Sequence, residues 1–235
     1  MELLRGERPV VKIGHRGAPG FAGDNSLASI AAAVELGFDA VEVDVLRLDG
    51  RLVVAHDARR ADGAPALDDA LALLAESRVG IQLDLKGSGH ERAVADAVRR
   101  HALVDRSFAS TPSLSSLRAL AAAEPELARA LTYPDDRFGL TGRRALRPAV
   151  MPTLRAMRRA LPFRLPRLLR RAGARAATLN WTVVSRAVVE RCHALDVAVY
   201  AWTVNDRDVA DALLRLGADG IITDDPRIFD EVPTT

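Results

Sequence analysis

The sequence predicts one α/β domain, residues 1–235, folded as a TIM (β/α)8 barrel. Three observations support this fold. About eight short apolar segments alternate with segments of helical periodicity. The length fits one large barrel domain, and an apolar fraction of 49% is enough for a sizeable core. No internal repeat or low-complexity segment indicates another architecture.

The predicted strands are short, rich in β-branched residues and bounded by glycine or turn residues, as buried parallel strands are. The first strand is followed by a helix and a second strand, which is the βαβ unit of a parallel sheet. A tight turn at residues 48–51 then leads into a third, extended segment. In chain order these segments occupy residues 10–14, 40–46, 52–56, 79–85, 106–110, 128–133, 176–180, 197–204 and 220–223.

The predicted helices follow from capping residues and apolar spacing. Residues 24–26, Asp-Asn-Ser, supply capping chemistry, and helix capping explains all three residue types. Helices are predicted at residues 27–37, 67–76, 91–101, 114–123, 185–195 and 206–216. Arginines recur between residues 143 and 171, where several prolines predict short helical pieces rather than one long helix. These prolines are Pro148, Pro152, Pro162 and Pro166.

Composition favours a soluble cytoplasmic protein. The net charge is only +2. No apolar run reaches the roughly 18 to 20 residues that a membrane span needs. The first twelve residues lack the apolar middle of a signal peptide. The single cysteine, Cys192, cannot form an internal disulfide, and its helical surroundings predict a buried structural thiol.

Positive charge is concentrated in one part of the chain, because residues 137–189 contain no Asp or Glu. Such a basic block can meet nucleic acid, anionic lipid or a phosphate-bearing substrate. Two interpretations stay open for the Arg-rich segment 143–171. It is either a solvated helix face in a protein with almost no lysine, or a peripheral contact with an anionic membrane.

The second predicted strand carries Glu42 and Asp44 two residues apart, so both side chains point the same way. Neighbouring carboxylates repel unless a positive group lies between them, and a hard divalent cation is the usual solution. Catalytic residues of TIM barrels lie at the carboxyl ends of strands. Polar or aromatic residues at or near predicted strand ends are His15, Glu42, Asp44, Asp84, Ser110, Trp202 and Thr223. The pattern predicts one shared site.

Three motifs resemble the signature of glycerophosphodiester phosphodiesterases: His15-Arg16, Glu42-Val43-Asp44 and His56-Asp57, in this order and spacing. Further similar elements are Asp84-Leu85-Lys86, residues 201–205 (Ala-Trp-Thr-Val-Asn) and residues 217–224. The resemblance implies hydrolysis of a small-molecule glycerophosphodiester to sn-glycerol 3-phosphate and an alcohol, with no nucleic-acid partner. The family commonly has an insertion after the second histidine, whereas residues 58–69 leave room only for a loop here.

The resemblance assigns acid and base roles to His15 and His56. Hydrolysis of an anionic phosphodiester needs charge neutralisation, an aligned nucleophile and a proton for the leaving oxygen. Histidine moves protons near neutral pH, and two of them would supply base and acid. We expect His15 to be the base and His56 the acid, while water and a substrate hydroxyl both stay open as the attacking group.

By the same resemblance, Glu42, Asp44 and Asp84 bind a divalent cation, either Mg²⁺ or Ca²⁺. The family usually has Glu at the position of Asp84, and the lost methylene shortens its reach by about 1.5 Å. The metal would then shift, be bridged by water, or bind more weakly. Lys86 is one of only two lysines in the chain, and its alternative role is a salt bridge to Asp84 or Glu42.

The substrate-binding candidates follow from the same motifs. Arg16 and Lys86 are expected to clamp phosphate, with a bidentate fork and a point charge respectively. Trp202 either walls the pocket or belongs to the core. Asn25 is a further substrate-binding candidate, and Asn205 either holds a loop or reaches the substrate.

Two other functions stay open at this stage, as does the oligomeric state. One is a lysophospholipase D-type enzyme, for which the Arg-rich segment would give lipid head groups a cationic approach. The other is a catalytically weakened barrel that binds phosphate ligands or membrane surfaces. Asp84 favours that interpretation. The residues that oppose it are the intact His15, Arg16, Glu42, Asp44, His56 and Lys86.

Overall fold

The computed structural model describes residues 3–4, 6, 9–135 and 147–229, with backbone alone for 147–151. Its strands are β1 (Val11–His15), β2 (Ala40–Leu48), β3 (Arg51–Val54), β4 (Gly80–Lys86), β5 (Ser107–Thr111), β6 (Ala128–Tyr133), β7 (Ala176–Asn180), β8 (Ala198–Trp202) and β9 (Gly220–Thr223). All except β3 are parallel neighbours in the order β1-β9-β8-β7-β6-β5-β4-β2, and a β1–β2 pairing closes the ring. The predicted TIM barrel is confirmed.

Strand β3 lies outside the ring and pairs antiparallel with the end of β2, where Val45 faces Val54. The hairpin turns at Asp49 and Gly50, which both have positive φ, as a tight two-residue hairpin turn requires. After β3 the backbone N–H of Ala55 donates to Asp44 O at 3.0 Å. The hairpin therefore returns the chain to the end of β2 immediately before His56.

The helices are α1 (Leu27–Glu35), α2 (Leu67–Ala75), α3 (Glu91–Arg100), α4 (Leu114–Ala123), α5 (Arg147–Ala172), α6 (Arg186–His193) and α7 (Arg207–Arg215). The six helices predicted from capping and spacing are confirmed to within about two residues at each end, the usual uncertainty of a helix boundary. Among the described residues, no helix combines the length and apolarity needed to cross a bilayer. Cys192 on α6 is fully buried, as predicted.

Helix α5 corrects the prediction of short helical pieces in the Arg-rich segment, of which residues 143–146 lie outside the described part. One continuous helix forms because a buried leucine stripe runs along it at helical spacing. The stripe comprises Leu154, Leu161, Leu165 and Leu169. Pro152, Pro162 and Pro166 each remove one helical hydrogen bond. They are exposed or partly exposed, so the carbonyl groups they leave can bond water.

Side chains fill the interior of the barrel. The rings of Phe108 and Tyr200 pack with centroids 5.5 Å apart, among small and branched side chains from the surrounding strands. Tyr200 Oη donates to Leu3 O at 2.7 Å, so the chain start contacts this core. A Cβ on Gly220 would lie 2.7 Å from the Tyr200 ring, so the large aromatic requires glycine on β9. The barrel is therefore a packed scaffold, and chemistry is left to its strand ends.

Candidate active site

The segment His15-Arg16-Gly17 turns sharply where β1 ends. Arg16 has φ +56° and Gly17 φ +90°, and the left-handed conformation costs a residue with a side chain roughly 1–2 kcal/mol. A Cβ on Gly17 would lie 2.4 Å from Ser29 Oγ, so close packing on α1 requires glycine. The turn directs the backbone N–H of Arg16 to Glu42 Oε2, at 2.8 Å.

Glu42, Asp44 and Asp84 form an acidic cluster on the adjacent strands β2 and β4. Strand register brings them together, because Asp44 lies opposite Asp84 and Glu42 lies opposite His15 of β1. One oxygen of each carboxylate lies within 4.8 Å of the other two, and Glu42 and Asp44 are buried. Burial, followed by the charge of Asp44, raises the pKa of Glu42 to about 7. Burial and the neighbouring carboxylate therefore disfavour the ionised form of Glu42.

Lys86 and Arg16 compensate part of this charge. Lys86 Nζ lies 2.7 Å from Asp44 Oδ1 and 2.5 Å from Asp84 Oδ2. Arg16 Nε lies 3.0 Å from Asp44 Oδ2. Burial alone would raise the pKa of Asp44, but Lys86, His56 and Arg16 together hold that pKa well below its usual range. The salt bridge expected for Lys86 is present to Asp84, and its second partner is Asp44 rather than Glu42.

His15 is held by Asp224, the residue that directly follows β9. His15 Nδ1 lies 2.7 Å from Asp224 Oδ1. Burial lowers the pKa of His15, but the hydrogen bond with Asp224 and the charge of Glu42 outweigh it and raise that pKa overall. Asn205 Nδ2 donates to Asp224 Oδ2, while Asn205 Oδ1 accepts from Asp224 N at 2.9 Å. Asn205 thus holds the loop that carries Asp224, which is one of the two roles expected for it.

Sequence reasoning assigned no role to Asp224, although this residue ends the closing segment of the family resemblance. The available signal was its position, since a carboxylate immediately after the last barrel strand lies at the catalytic end. Barrel closure then pairs β9 with β1 and brings Asp224 to His15.

His56 reaches the same region from the β2–β3 hairpin. Its Nδ1 lies 2.9 Å from Arg16 Nη2 and 3.1 Å from Asp44 Oδ2. A ring nitrogen either accepts from the guanidinium or donates to the carboxylate, depending on its protonation. Either contact ties the imidazole to the Arg16–Asp44 pair. His15, opposite Glu42, and His56, in contact with Asp44, therefore both lie beside the acidic cluster.

Asn25 corrects the prediction that helix capping explains residues 24–26, because Ser26 alone is the N-cap of α1. Asn25 is buried, and its Nδ2 donates to Asp44 Oδ2 at 2.8 Å. Its Oδ1 accepts from the backbone N–H of Asp44 at 3.1 Å. It has φ +57°, a conformation that asparagine tolerates better than most residues. Asp24 instead pairs with Arg16 at 3.1 Å. Asn25 thus positions Asp44.

Neighbouring strands support the third acid of the cluster. Asp84 Oδ1 accepts from Ser110 Oγ on β5 at 2.6 Å, and Thr132 Oγ1 on β6 lies 3.4 Å away. Ser110 is opposite Asp84 in the ladder and is fully buried. These contacts hold the shorter acid in place on its strand.

Trp202 ends β8 and is partly buried against the interior core. This contact fits the core interpretation. Its indole Nε1 is also buried and has no hydrogen-bond partner among the residues described. A buried tryptophan N–H usually finds a partner, so Trp202 offers an unused donor at the catalytic end of the barrel.

The acidic cluster fits a hard divalent cation by its donor chemistry. Mg²⁺ and Ca²⁺ bind carboxylate oxygens at roughly 2.0–2.6 Å, so ligands on opposite sides lie roughly 4–5 Å apart. The three carboxylate oxygens lie within 4.8 Å of one another, which is compatible with a common ion. Lys86 contacts two of the same acids, so a cation would share them with its ammonium group.

Comparison with known proteins identifies the family. Residues 15–73 and 84–228 match the glycerophosphoryl diester phosphodiesterase family. A glycerophosphodiester phosphodiesterase from Caldanaerobacter subterraneus subsp. tengcongensis is 25% identical over 252 residues, covering 91% of this chain and 93% of the relative.

Solved structures share the fold. An Oleispira antarctica phosphodiesterase in complex with the product sn-glycerol-3-phosphate has a TM-score of 0.71 at 22% identity, over 92% of this chain and 93% of that one. A glycerophosphodiester phosphodiesterase from Agrobacterium tumefaciens has a TM-score of 0.70 at 22% identity, over 94% of this chain and 97% of that one. The predicted family is thereby confirmed: the chain belongs to the glycerophosphoryl diester phosphodiesterase family, a family of phosphoric diester hydrolases.

Proposed function

We propose that this protein hydrolyses glycerophosphodiesters to sn-glycerol 3-phosphate and an alcohol at the site formed by His15, His56 and the acidic cluster. Arg16 is the observation that carries the proposal. It follows His15, its N–H donates to Glu42, and its guanidinium contacts Asp44 and His56. One residue thus links both histidines to the acids. The sn-glycerol-3-phosphate bound to the Oleispira antarctica relative supports the product.

His15 is the proposed base. A carboxylate can only accept a hydrogen bond, so Asp224 favours the tautomer with the proton on Nδ1 of His15. Nε2 then carries the lone pair that takes a proton from the attacking hydroxyl, as in other His–Asp pairs. Either water or a substrate hydroxyl supplies the attacking oxygen in this proposal.

His56 is the proposed acid. In its protonated form Nδ1 donates to Asp44 Oδ2, 3.1 Å away, and Nε2 can give a proton to the leaving alkoxide. Arg16 Nη2 lies 2.9 Å from the same Nδ1, so Arg16 and Asp44 together fix the orientation of the His56 ring.

Glu42, Asp44 and Asp84 are the proposed ligands of a divalent cation, Mg²⁺ or Ca²⁺, which would neutralise charge on the phosphate. Arg16 and Lys86 add positive charge on the same side and are the proposed phosphate clamps. Trp202, at the end of β8, is the proposed wall of the substrate pocket. Asn25 contributes indirectly through its two hydrogen bonds to Asp44.

A lysophospholipase D-type activity on lipid head groups is the second candidate. It is favoured by Phe163, which is 79% exposed among the exposed arginines of α5. An exposed aromatic within a basic surface suits a lipid substrate better than a water-soluble one.

The test is turnover of glycerophosphocholine and of lysophosphatidylcholine after EDTA treatment, with Mg²⁺ and Ca²⁺ restored separately. Activity should disappear with EDTA and return with one of the ions. The turnover rate of the His15→Ala variant should be about 10²–10⁴-fold lower than that of the wild-type protein. The control is His101→Ala, since His101 pairs with Asp68 at 3.0 Å on the helical exterior and should be dispensable. Turnover that survives chelation would remove the metal from the mechanism, and an active His15→Ala protein would remove the proposed base.

A further inference from the structure

One flank of α5 presents exposed arginines beside an exposed aromatic ring. At about 100° per residue, Phe163 lies on the side of the helix opposite the buried leucine stripe, and it is 79% exposed. Arg155, Arg158 and Arg159 are also exposed. With Pro162 and Phe163 they line a groove of about 450 Å³, completed by the start of α6. These five residues are the α5 surface.

The charge of the α5 surface is not neutralised locally. Residues 137–189 contain no acidic side chain. None of the three arginines forms an ion pair with an acid within the described part of the chain. A cluster of unpaired guanidinium groups attracts anions, and its range shortens as salt is added.

The α5 surface lies at the catalytic end of the barrel. The opposite wall of its groove includes Ser185, the N-cap of α6, which comes shortly after β7. Arg158 Nη1 donates to Thr182 O, in the turn that directly follows β7, at 3.4 Å. Segments that follow barrel strands lie on the same face as the catalytic residues. A partner bound to the α5 surface would therefore lie beside the end of the barrel that carries His15.

We propose that the α5 surface docks this protein onto an anionic phospholipid bilayer. Arginines bind lipid phosphates, while an aromatic side chain beside them inserts at the boundary between head groups and acyl chains. A soluble phosphate would engage the arginines but leave Phe163 in water. Docking goes beyond the proposed reaction, since bilayer binding needs no turnover, and the two can fail independently.

The test is co-sedimentation of the purified full chain with phosphatidylcholine vesicles that contain or lack phosphatidylglycerol, at low and at high salt. Binding is expected only with phosphatidylglycerol and should weaken with salt. Replacing Arg155, Arg158 and Arg159 together by Gln should lower the binding constant about a hundredfold. Phe163→Ser should lower it about tenfold, because the apolar insertion is lost.

A matched control removes the same number of arginines from exposed positions outside the α5 surface. Arg51, Arg78 and Arg92 are exposed on or beside β3, α2 and α3, and replacing them together by Gln should change binding less than about threefold, since they lie off the proposed contact. An equal loss of binding in this control would mean that the net charge of the protein alone determines binding, and it would overturn the proposal. Equal binding to neutral vesicles would also overturn it.

Two further outcomes assign the surface to another partner. Unchanged binding in Phe163→Ser would mean that the arginines recognise polyanions and that no insertion occurs. A concentration-dependent dimer that Phe163→Ser dissociates would mean that a second copy covers the surface. Every substituted side chain is exposed, so all variants should keep the wild-type melting temperature and turnover of glycerophosphocholine.

Discussion

Asp224→Asn tests the proposed base most directly, because it removes one charge and keeps the side chain's size. In the native pair the carboxylate accepts from His15 Nδ1 over 2.7 Å and leaves Nε2 able to take a proton. Asparagine can instead donate its own N–H to Nδ1, which favours the opposite tautomer. The variant should therefore fold normally and turn over slowly.

The size of the loss follows from the exposure of the pair. A hydrogen bond to a charged partner contributes about 1.5–3 kcal/mol. The Asp224 side chain is 33% exposed, so water screens the pair and a value of about 2 kcal/mol applies. This corresponds to about 30-fold in kcat/KM. Stabilisation of the wrong tautomer adds to this loss, so at least about 30-fold is expected.

The assay is release of sn-glycerol 3-phosphate from glycerophosphocholine as a function of pH. A base must be neutral, so activity should rise as pH passes above the pKa of His15. Asp224 raises that pKa. Asp224→Asn should therefore move the acidic limb of the pH–activity curve to lower pH, and the maximal activity at higher pH should fall. The control is Asp225→Asn, since Asp225 pairs with the exposed Arg227 instead. A loss below about threefold in Asp224→Asn, or an equal loss in the control, would refute the role of Asp224 as partner of the base.

Three other predictions concern the cluster and the core. Asp84→Glu should keep or tighten the affinity for Mg²⁺ or Ca²⁺ measured by calorimetry, because it restores the longer acid; a large loss would mean that the site has adapted around the shorter one. Asn25→Ala should lower the free energy of unfolding in urea by about 3 kcal/mol, since a bond to a carboxylate is lost and the N–H of Asp44 is left unpaired; a loss under about 1 kcal/mol would contradict this role. Cys192 should resist alkylation at mildly alkaline pH in the native protein and react in urea, because burial raises the pKa of its thiol to about 12; rapid native labelling would contradict its burial.

Short-range periodicity in the sequence was sufficient to predict the strands and part of the candidate site. Alternation along β2 places Glu42 and Asp44 on one side of the strand, and the Asp49-Gly50 turn returns the chain to His56. Both relations involve residues close in the chain, so pattern alone was sufficient. The same periodicity underlies the strands, and each was predicted within a few residues.

Local pattern failed where a distant contact outweighed a local preference. In α5 the packing of a leucine stripe on the barrel outweighs three internal prolines. At Asn25 the sequence shows a capping residue, whereas its amide is bound to Asp44, 19 positions further on. Neither partner can be inferred from neighbouring residues alone, because both contacts exist only once the barrel has formed.

Barrel closure explains why the residue that holds the proposed base was the hardest to find. Asp224 and His15 are 209 positions apart and meet only because β9 pairs with β1. The first strand therefore supplies the imidazole and the last supplies its carboxylate, so the pair forms only in a closed ring. Asn205, on the loop after β8, fixes that carboxylate by two hydrogen bonds. Orientation of His15 thus depends on the segments that follow strands β8 and β9 at the far end of the sequence, whereas the acids of the cluster are carried by the neighbouring strands β2 and β4.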